Sequence, residues 1–287
     1  MSTLQVRHRT TYHYRTPVSL GPHRMMLRPK EGPELKLLEH ELVLHPQANV
    51  TWAQDVAGNA VATATFATAT DRLQIDSRAV VELSAVAWPV FPIEPFACSY
   101  PFRYPQDEWI DLGALAVPQY SDPARRLQEW TYGFVRSYPT DTLSLLKDLS
   151  AGINRQLGYQ SREDEGTQSP TETLARGWGS CRDFAVLFAE AARTLGLGAR
   201  LVSGYLYDRD RSLVGSEGPG STHAWAEAYL PGAGWIAFDP TNRSVGGSNL
   251  IPVAIARVIE QATPVAGSFH GRRSDLLSLS VAVTIEG

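Results

Sequence analysis

Three side chains in this sequence have the types and order needed for nucleophilic chemistry: Cys181, His223 and Asp239. Cys181 begins the run CRDFAVLFAEAARTL, in which Phe184, Leu187, Phe188, Ala191, Ala192 and Leu195 recur at the spacing of one helical face. Ser180 with Asp183 three residues on forms a capping-box pattern, which puts Cys181 in the first helical turn. Free N–H groups and the positive end of the helix dipole favour a thiolate there. A buried structural cysteine at the head of a core helix is the competing reading of this stretch taken alone. A cysteine nucleophile needs a base, and the base needs an acceptor on its other ring nitrogen. His223 opens the strand-like run HAWAEAYL and Asp239 closes GWIAFDP. Apart from His270 in the tail, the other five histidines all lie in the first 45 residues.

The elements that must hold these groups follow from the patterning. Residues 1–87 alternate with a period of two in several short runs, separated by turn-rich pieces at 29–33 and 55–59. This predicts an N-terminal antiparallel β-sandwich. Five prolines interrupt the aromatic stretch Trp88 to Pro105, so 88–120 reads as a connector packed on a domain surface, with Cys98 a bystander in it. Helices are expected from Asp122-Pro123 through Tyr132, over 142–157, and from Ser169-Pro170. Residues 198–207 read as a strand, 161–168 as an exposed charged loop, and 208–222 as a surface loop or lid. Residues 121–287 are therefore expected to form an α+β catalytic part that includes a C-terminal strand, LLSLSVAVTI.

The turn between the two strands can be tested by parity. A four-residue loop at 231–234 would pair 230 with 235 and put His223 and Asp239 on opposite sheet faces. A working triad therefore requires a three-residue loop, a five-residue loop or a bulge. Trp225, Glu227 and Tyr229 share a face with His223 and either line a cleft or pack as ordinary strand aromatics. Asn242 is an alternative orienting group to Asp239, with turn duty after Pro240 as its plainer role.

The segments GWGSCRDFA, LGARLVSGYL and STHAWAEAYLPGAGWIAFDPTN, in this order, resemble the transglutaminase-like superfamily. TTYHYRTPVSLGPHRMMLRP resembles the β-sandwich region that precedes the catalytic core in bacterial two-domain members. The resemblance implies a papain-like transglutaminase core of helices packed on an antiparallel sheet. In it Cys181 matches the nucleophile, His223 the general base and Asp239 the orienting carboxylate. It also implies acyl transfer at amide bonds, with hydrolysis of a peptide or protein amide and transfer to an amine both open. Trp178, Gly179 and Trp225 are the expected substrate-binding residues, and a non-catalytic scaffold of the same fold is the alternative.

Composition narrows the partners. A net charge of −4 argues against nucleic-acid or anionic-membrane binding. No run reaches the ~18 apolar residues of a membrane span, and MSTLQVRHRTTYHYR lacks a signal-peptide core, so a cytoplasmic location is expected. Two cysteines without a C-x-x-C spacing suggest neither a zinc site nor a redox pair. The five N-terminal histidines, His8, His13, His23, His40 and His45, fit no compact ligand motif and read as solvated or structural. Asp208 and Asp210 are flanked by arginines and make a poor calcium site. No metal or cofactor is expected, hydrolysis is slightly favoured on that ground, and nothing indicates an oligomer.

Overall fold

The computed structural model describes residues 2–161, 166–208, 212–215 and 220–287. The charged centre of the expected loop at 161–168, Asp210, and much of the 208–222 segment lie outside the described residues.

The alternating N-terminal runs form two sheets. β1 (Ser2–Leu20), β3 (Leu35–His45) and β6 (Thr70–Leu83) build one, and β2 (His23–Met25), β4 (Ala48–Gln54) and β5 (Ala60–Phe66) the other. β4 is a strand the patterning did not single out; its alternation, Ala48, Val50 and Trp52 against Asn49 and Thr51, is short, and its residues are mostly exposed. Tyr14, Val18, Leu20 and Leu73, Ile75 from the first sheet pack on Met25, Ala62 and Ala64 from the second, giving the expected sandwich core. His8 and His23 are buried within this module, whereas His13 is exposed. Burial pushes the His8 ring down to about 4, which makes it a neutral structural group hydrogen-bonded to Thr10 Oγ1 at 2.8 Å.

Among the described residues five α-helices follow: α1 (Gln106–Leu112), α2 (Arg126–Tyr132), α3 (Thr142–Gln156), α4 (Pro170–Arg176) and α5 (Cys181–Thr194). α1 lies inside the stretch expected to be a connector. Phe91, Ile93, Phe102 and Tyr104 of that stretch pack against the helical core, so it forms part of the wall. α2 begins three residues later than the Asp122 cap predicts. The chain first turns through Arg125 at φ 53, and the Asp122 carboxylate accepts from the Arg126 and Gln128 N–H groups instead. Asp141 and Ser169 cap α3 and α4 as ordinary N-cap residues, accepting from Ser144 and Glu172 N–H.

α5 is the central element. Its residues from Asp183 through Arg193 are all buried, including the polar Glu190 and Arg193. These two form an ion pair at 2.6 Å whose remaining bonds reach Gln119 and Tyr120 N–H and the Leu115, Ala199 and Arg257 carbonyls. One helix thus fastens the connector and the sheet around it.

That sheet contains β7 (Ala199–Tyr207), β8 (Gly220–Leu230), β9 (Gly234–Asp239) and β10 (Leu250–Ala256), ordered β9-β8-β7-β10, with Ser244–Val245 beyond β9. Ala224, Ala226, Ala228, Ile236 and Phe238 face α5, and the small side chains let the helix lie close. None of the described helices is long and apolar enough to cross a membrane.

The last strand corrects the expected boundary. β11 (Leu276–Glu286) does not join the sheet packed on α5; it pairs antiparallel with β1, from Gln5↔Glu286 to Tyr14↔Leu276. Phe269–His270 and Val265–Ala266 also pair with sandwich strands. The physical cause is that Ile285 fills the apolar space beside Leu4, Val6 and Val81, against Tyr205, Ile251 and Val253 of the sheet packed on α5. The buried Asn59 side chain adds a polar clasp, donating to the Ile255 carbonyl at 2.7 Å and accepting its N–H at 2.8 Å. The two parts share a largely apolar seam.

Candidate active site

Asp183 fixes the head of α5. Its Oδ2 accepts from the Ser180 N–H and hydroxyl, both at 2.8 Å, and its Oδ1 from the Gln168 N–H at 2.7 Å. Cys181 therefore starts the helix with its own N–H in the turn where no intrahelical acceptor exists. It is half-buried and not in a disulfide; Cys98 is exposed and donates weakly to the Ile93 carbonyl at 3.7 Å.

β8 carries His223. β9 pairs with it only from Leu230↔Gly234 to Ala226↔Phe238, so the edge of β8 at 223–224 is left to α5. There the Ala224 N–H and the His223 ring both bond the Cys181 sulfur. The pairing of 230 with 234 is the three-residue loop, and it places His223 and Asp239 on the same side. His223 Nε2 meets Asp239 Oδ2 at 2.9 Å, which leaves Nδ1 for the thiol.

Asp239 ends β9 because Pro240 follows and the chain turns. Its Oδ1 accepts from the Thr241 and Asn242 N–H groups at 2.9 and 3.3 Å, while Oδ2 takes the Asn242 Nδ2 at 2.9 Å alongside His223. Asn242 thus supports the carboxylate and does not replace it. Asn154 of α3 anchors the same turn through the Thr241 carbonyl at 2.7 Å.

The electrostatics follow from these contacts. Burial alone would push the Cys181 thiol up, but the hydrogen bond and charge of His223 and the Ala224 N–H hold it below its ordinary value. Burial alone would also discharge His223; the Asp239 charge and hydrogen bond, with the bond to Cys181, raise the ring to about 10. Burial opposes the Asp239 charge too, and His223 and Asn242 overcome it, so the carboxyl stays below its usual range. All three directions favour a thiolate–imidazolium pair beside a carboxylate, an arrangement able to attack a carbonyl carbon and then protonate a leaving group.

The other expected site residues divide. Trp178 and Gly179 lie immediately before the helix, paired in parallel with Gly158–Tyr159. Trp178 is partly exposed, with the Arg176 guanidinium 5.6 Å from its ring centre. Gly179 is buried for a packing reason: a Cβ there would stand 2.9 Å from the Asp183 Cβ and 3.1 Å from the Phe184 ring. Trp225, expected to touch substrate, is only 1% exposed and packs with Val202, Leu206, Leu250 and Ile255. Stacked at 24° beside His223, it backs the imidazole and offers no free face. Glu227 pairs with Arg200 at 2.6 Å and the Tyr229 hydroxyl donates to Glu108 at 3.1 Å, so neither joins the site. Sequence reasoning missed the Val214 N–H, which donates to Asn242 Oδ1 at 2.8 Å; no pattern within a loop announces such a bond. Asp208 accepts from the Ser212 and Leu213 N–H groups, a loop-capping role. Among the described residues no group of three His, Cys, Asp or Glu side chains is placed to hold a metal ion.

Comparison with known proteins agrees with this architecture. Residues 4–82 match the bacterial transglutaminase-like N-terminal region, and residues 128–240 the transglutaminase-like superfamily. A protein of Mycobacterium leprae (strain TN) is 34% identical over 116 residues, 40% of this chain; the match spans 41% of that relative's length. A crystal structure of a candidate cysteine protease from Cytophaga hutchinsonii has the same fold, with a TM-score of 0.73 at 19% identity over 99% of this chain and 90% of that one. The periplasmic domain of TgpA from Pseudomonas aeruginosa gives a TM-score of 0.38 at 16% identity, over 82% and 87% of the two chains. With the sandwich region and the core region matched in this order along one polypeptide, the chain belongs to the transglutaminase-like superfamily, in its bacterial two-domain form.

Proposed function

We propose that this protein is a cysteine-dependent acyl-transfer enzyme that hydrolyses an amide bond in a peptide or protein, with Cys181 as nucleophile, His223 as general acid and base, and Asp239 as the group that steadies the imidazolium. The observation that carries this reading is the continuous bonding from the Cys181 sulfur through His223 to Asp239 at the head of a buried helix. The thiolate attacks the amide carbonyl carbon, and the carbonyl oxygen becomes an oxyanion. The Cys181 N–H points from the helix start and serves as one donor to that oxygen, a contact worth about 2.7–4 kcal/mol in such sites. His223 then gives its proton to the departing amine nitrogen as the C–N bond breaks, leaving a thioester. Neutral His223 takes a proton from water, the hydroxide adds to the thioester, and the thiolate leaves with His223 protonated again. The sum is amide plus water to acid plus amine.

The test uses wild type and Cys181→Ala with a glutamine-rich peptide pool and a tagged amine, read by mass spectrometry. A cleaved or deamidated product that requires Cys181 is expected. Incorporation of the amine instead would identify a transglutaminase. Iodoacetamide should also label Cys181 rapidly near neutral pH, and His223→Ala should bring the rate down to that of an ordinary thiol. An ordinary rate in the wild type would leave a binding scaffold and overturn the reading.

A further inference from the structure

The Ser212–Gly215 segment is held down at four points. Asp208, itself 3% exposed, accepts from Ser212 N–H at 3.1 Å and Leu213 N–H at 2.8 Å. Leu213 packs on the cluster that contains Trp225, directly behind the His223 ring. Val214 N–H donates to Asn242 Oδ1 at 2.8 Å. Gly215 lies so near the Tyr159 hydroxyl that a Cβ would approach it to 2.6 Å, and Tyr159 pairs with Gly179, two residues before Cys181. The segment therefore runs from the histidine side of the site to the cysteine side.

Asn242 is where this segment meets the carboxylate. Its amide can adopt only one orientation, because Nδ2 donates to Asp239 Oδ2 while Oδ1 accepts from Val214. Asp239 Oδ2 is also the oxygen that faces His223. A carboxylate with both oxygens held cannot rotate, and the imidazole keeps its partner. Without the Val214 N–H, the Asn242 carbonyl is left unpaired and the amide is free to turn, which releases one of the two donors on Oδ2.

We propose that Asn242 is a positioning residue that ties the Ser212–Gly215 segment to the Asp239 carboxylate, so that the seating of this segment beside the cleft sets the proton affinity of His223. This rests on the reading of Cys181, His223 and Asp239 as the reacting group, and it adds a route by which a substrate that presses on the segment tunes them. The ionisable groups that act on His223 are Cys181 from α5 and Asp239 from β9. Of the bonds on Asp239 beyond His223, both Asn242 contacts help keep the carboxyl charged.

The experiment follows the His223 ring by nitrogen NMR during a pH titration, in the full chain. Two variants touch none of the three reacting residues: Val214→Pro removes the donor to Asn242, and Asp208→Ala releases the segment. Both should lower the His223 midpoint by about half a pH unit or more, the scale set by losing one hydrogen bond to a charged partner. Asn242→Ala should lower it at least as far, and adding Val214→Pro to it should bring no further change. If Val214→Pro fails to fold, Asp208→Ala decides. Wild-type midpoints in both segment variants, with Asn242→Ala still shifted, would overturn the coupling. A wild-type His223 that titrates at its ordinary value would instead overturn the proposed function itself.

Discussion

At the residue scale, the carboxylate decides the working pH range. Activity should appear as pH rises through the lowered Cys181 value, when the thiolate forms. It should disappear on the alkaline side as the His223 imidazolium loses its proton, at about 10. Asp239→Asn removes the main upward influence on that ring, so the alkaline limb should move down toward the ordinary histidine value near 6.5, with a loss of about 10²–10⁴ in kcat/KM. A pH–rate profile on the product found above checks both effects. An unmoved alkaline limb would show that Asp239 does not govern the base. The three candidate residues could be singled out in the sequence because cysteine and histidine are scarce in the helical half and parity limits how two strands can join. What surrounds Asp239 could not: the Asn242 amide and the Thr241 N–H gain their meaning only once Pro240 turns the chain back.

At the scale of elements, α5 was read as a buried helix from one apolar stripe, and its residues from Asp183 through Arg193 are buried on every side. Its apolar stripe was visible. The sequence could not reveal that Glu190 and Arg193 are also interior, because an ion pair at i and i+3 reads equally well as a solvated helix face. Their burial is tolerated since every bond of the pair is met within the fold. Glu190→Ala leaves Arg193 charged and unpaired at 1% exposure, which should cost about 3–5 kcal/mol of stability, measured by urea unfolding. A loss below about 1 kcal/mol, the range of exposed pairs, would mean that the interior is wetter than it stands here. Trp225 teaches the same lesson in reverse. Its face was read correctly from alternation, but whether a face looks onto a cleft or onto another layer depends on loops that carry no periodic signal.

At the scale of the molecule, the sandwich and the transglutaminase-like core are stitched by segments far apart in sequence. β1 and β11 pair along most of their length, and Asn59 clasps β10. Strand propensity made LLSLSVAVTI readable as a strand, but its partner was not, because antiparallel pairing leaves no mark of which edge it will choose. Deleting residues 265–287 should expose Leu4, Val6 and Val81 and the facing Tyr205 and Ile251, lowering the midpoint of thermal unfolding and slowing Cys181 labelling together. Loss of the one without the other, in calorimetry and alkylation run side by side, would show that the two parts are stable separately.

The union of β1 with β11 also bears on how the polypeptide is made. As the chain is synthesised, β1 emerges well before β11 and finds β6 early, yet its other edge stays bare while nearly two hundred further residues are added. An open edge on a long strand invites stray pairing. The newborn chain thus passes through a window of aggregation risk that lasts until β11 has been made and has paired with β1, and it should gain from chaperone cover over that interval.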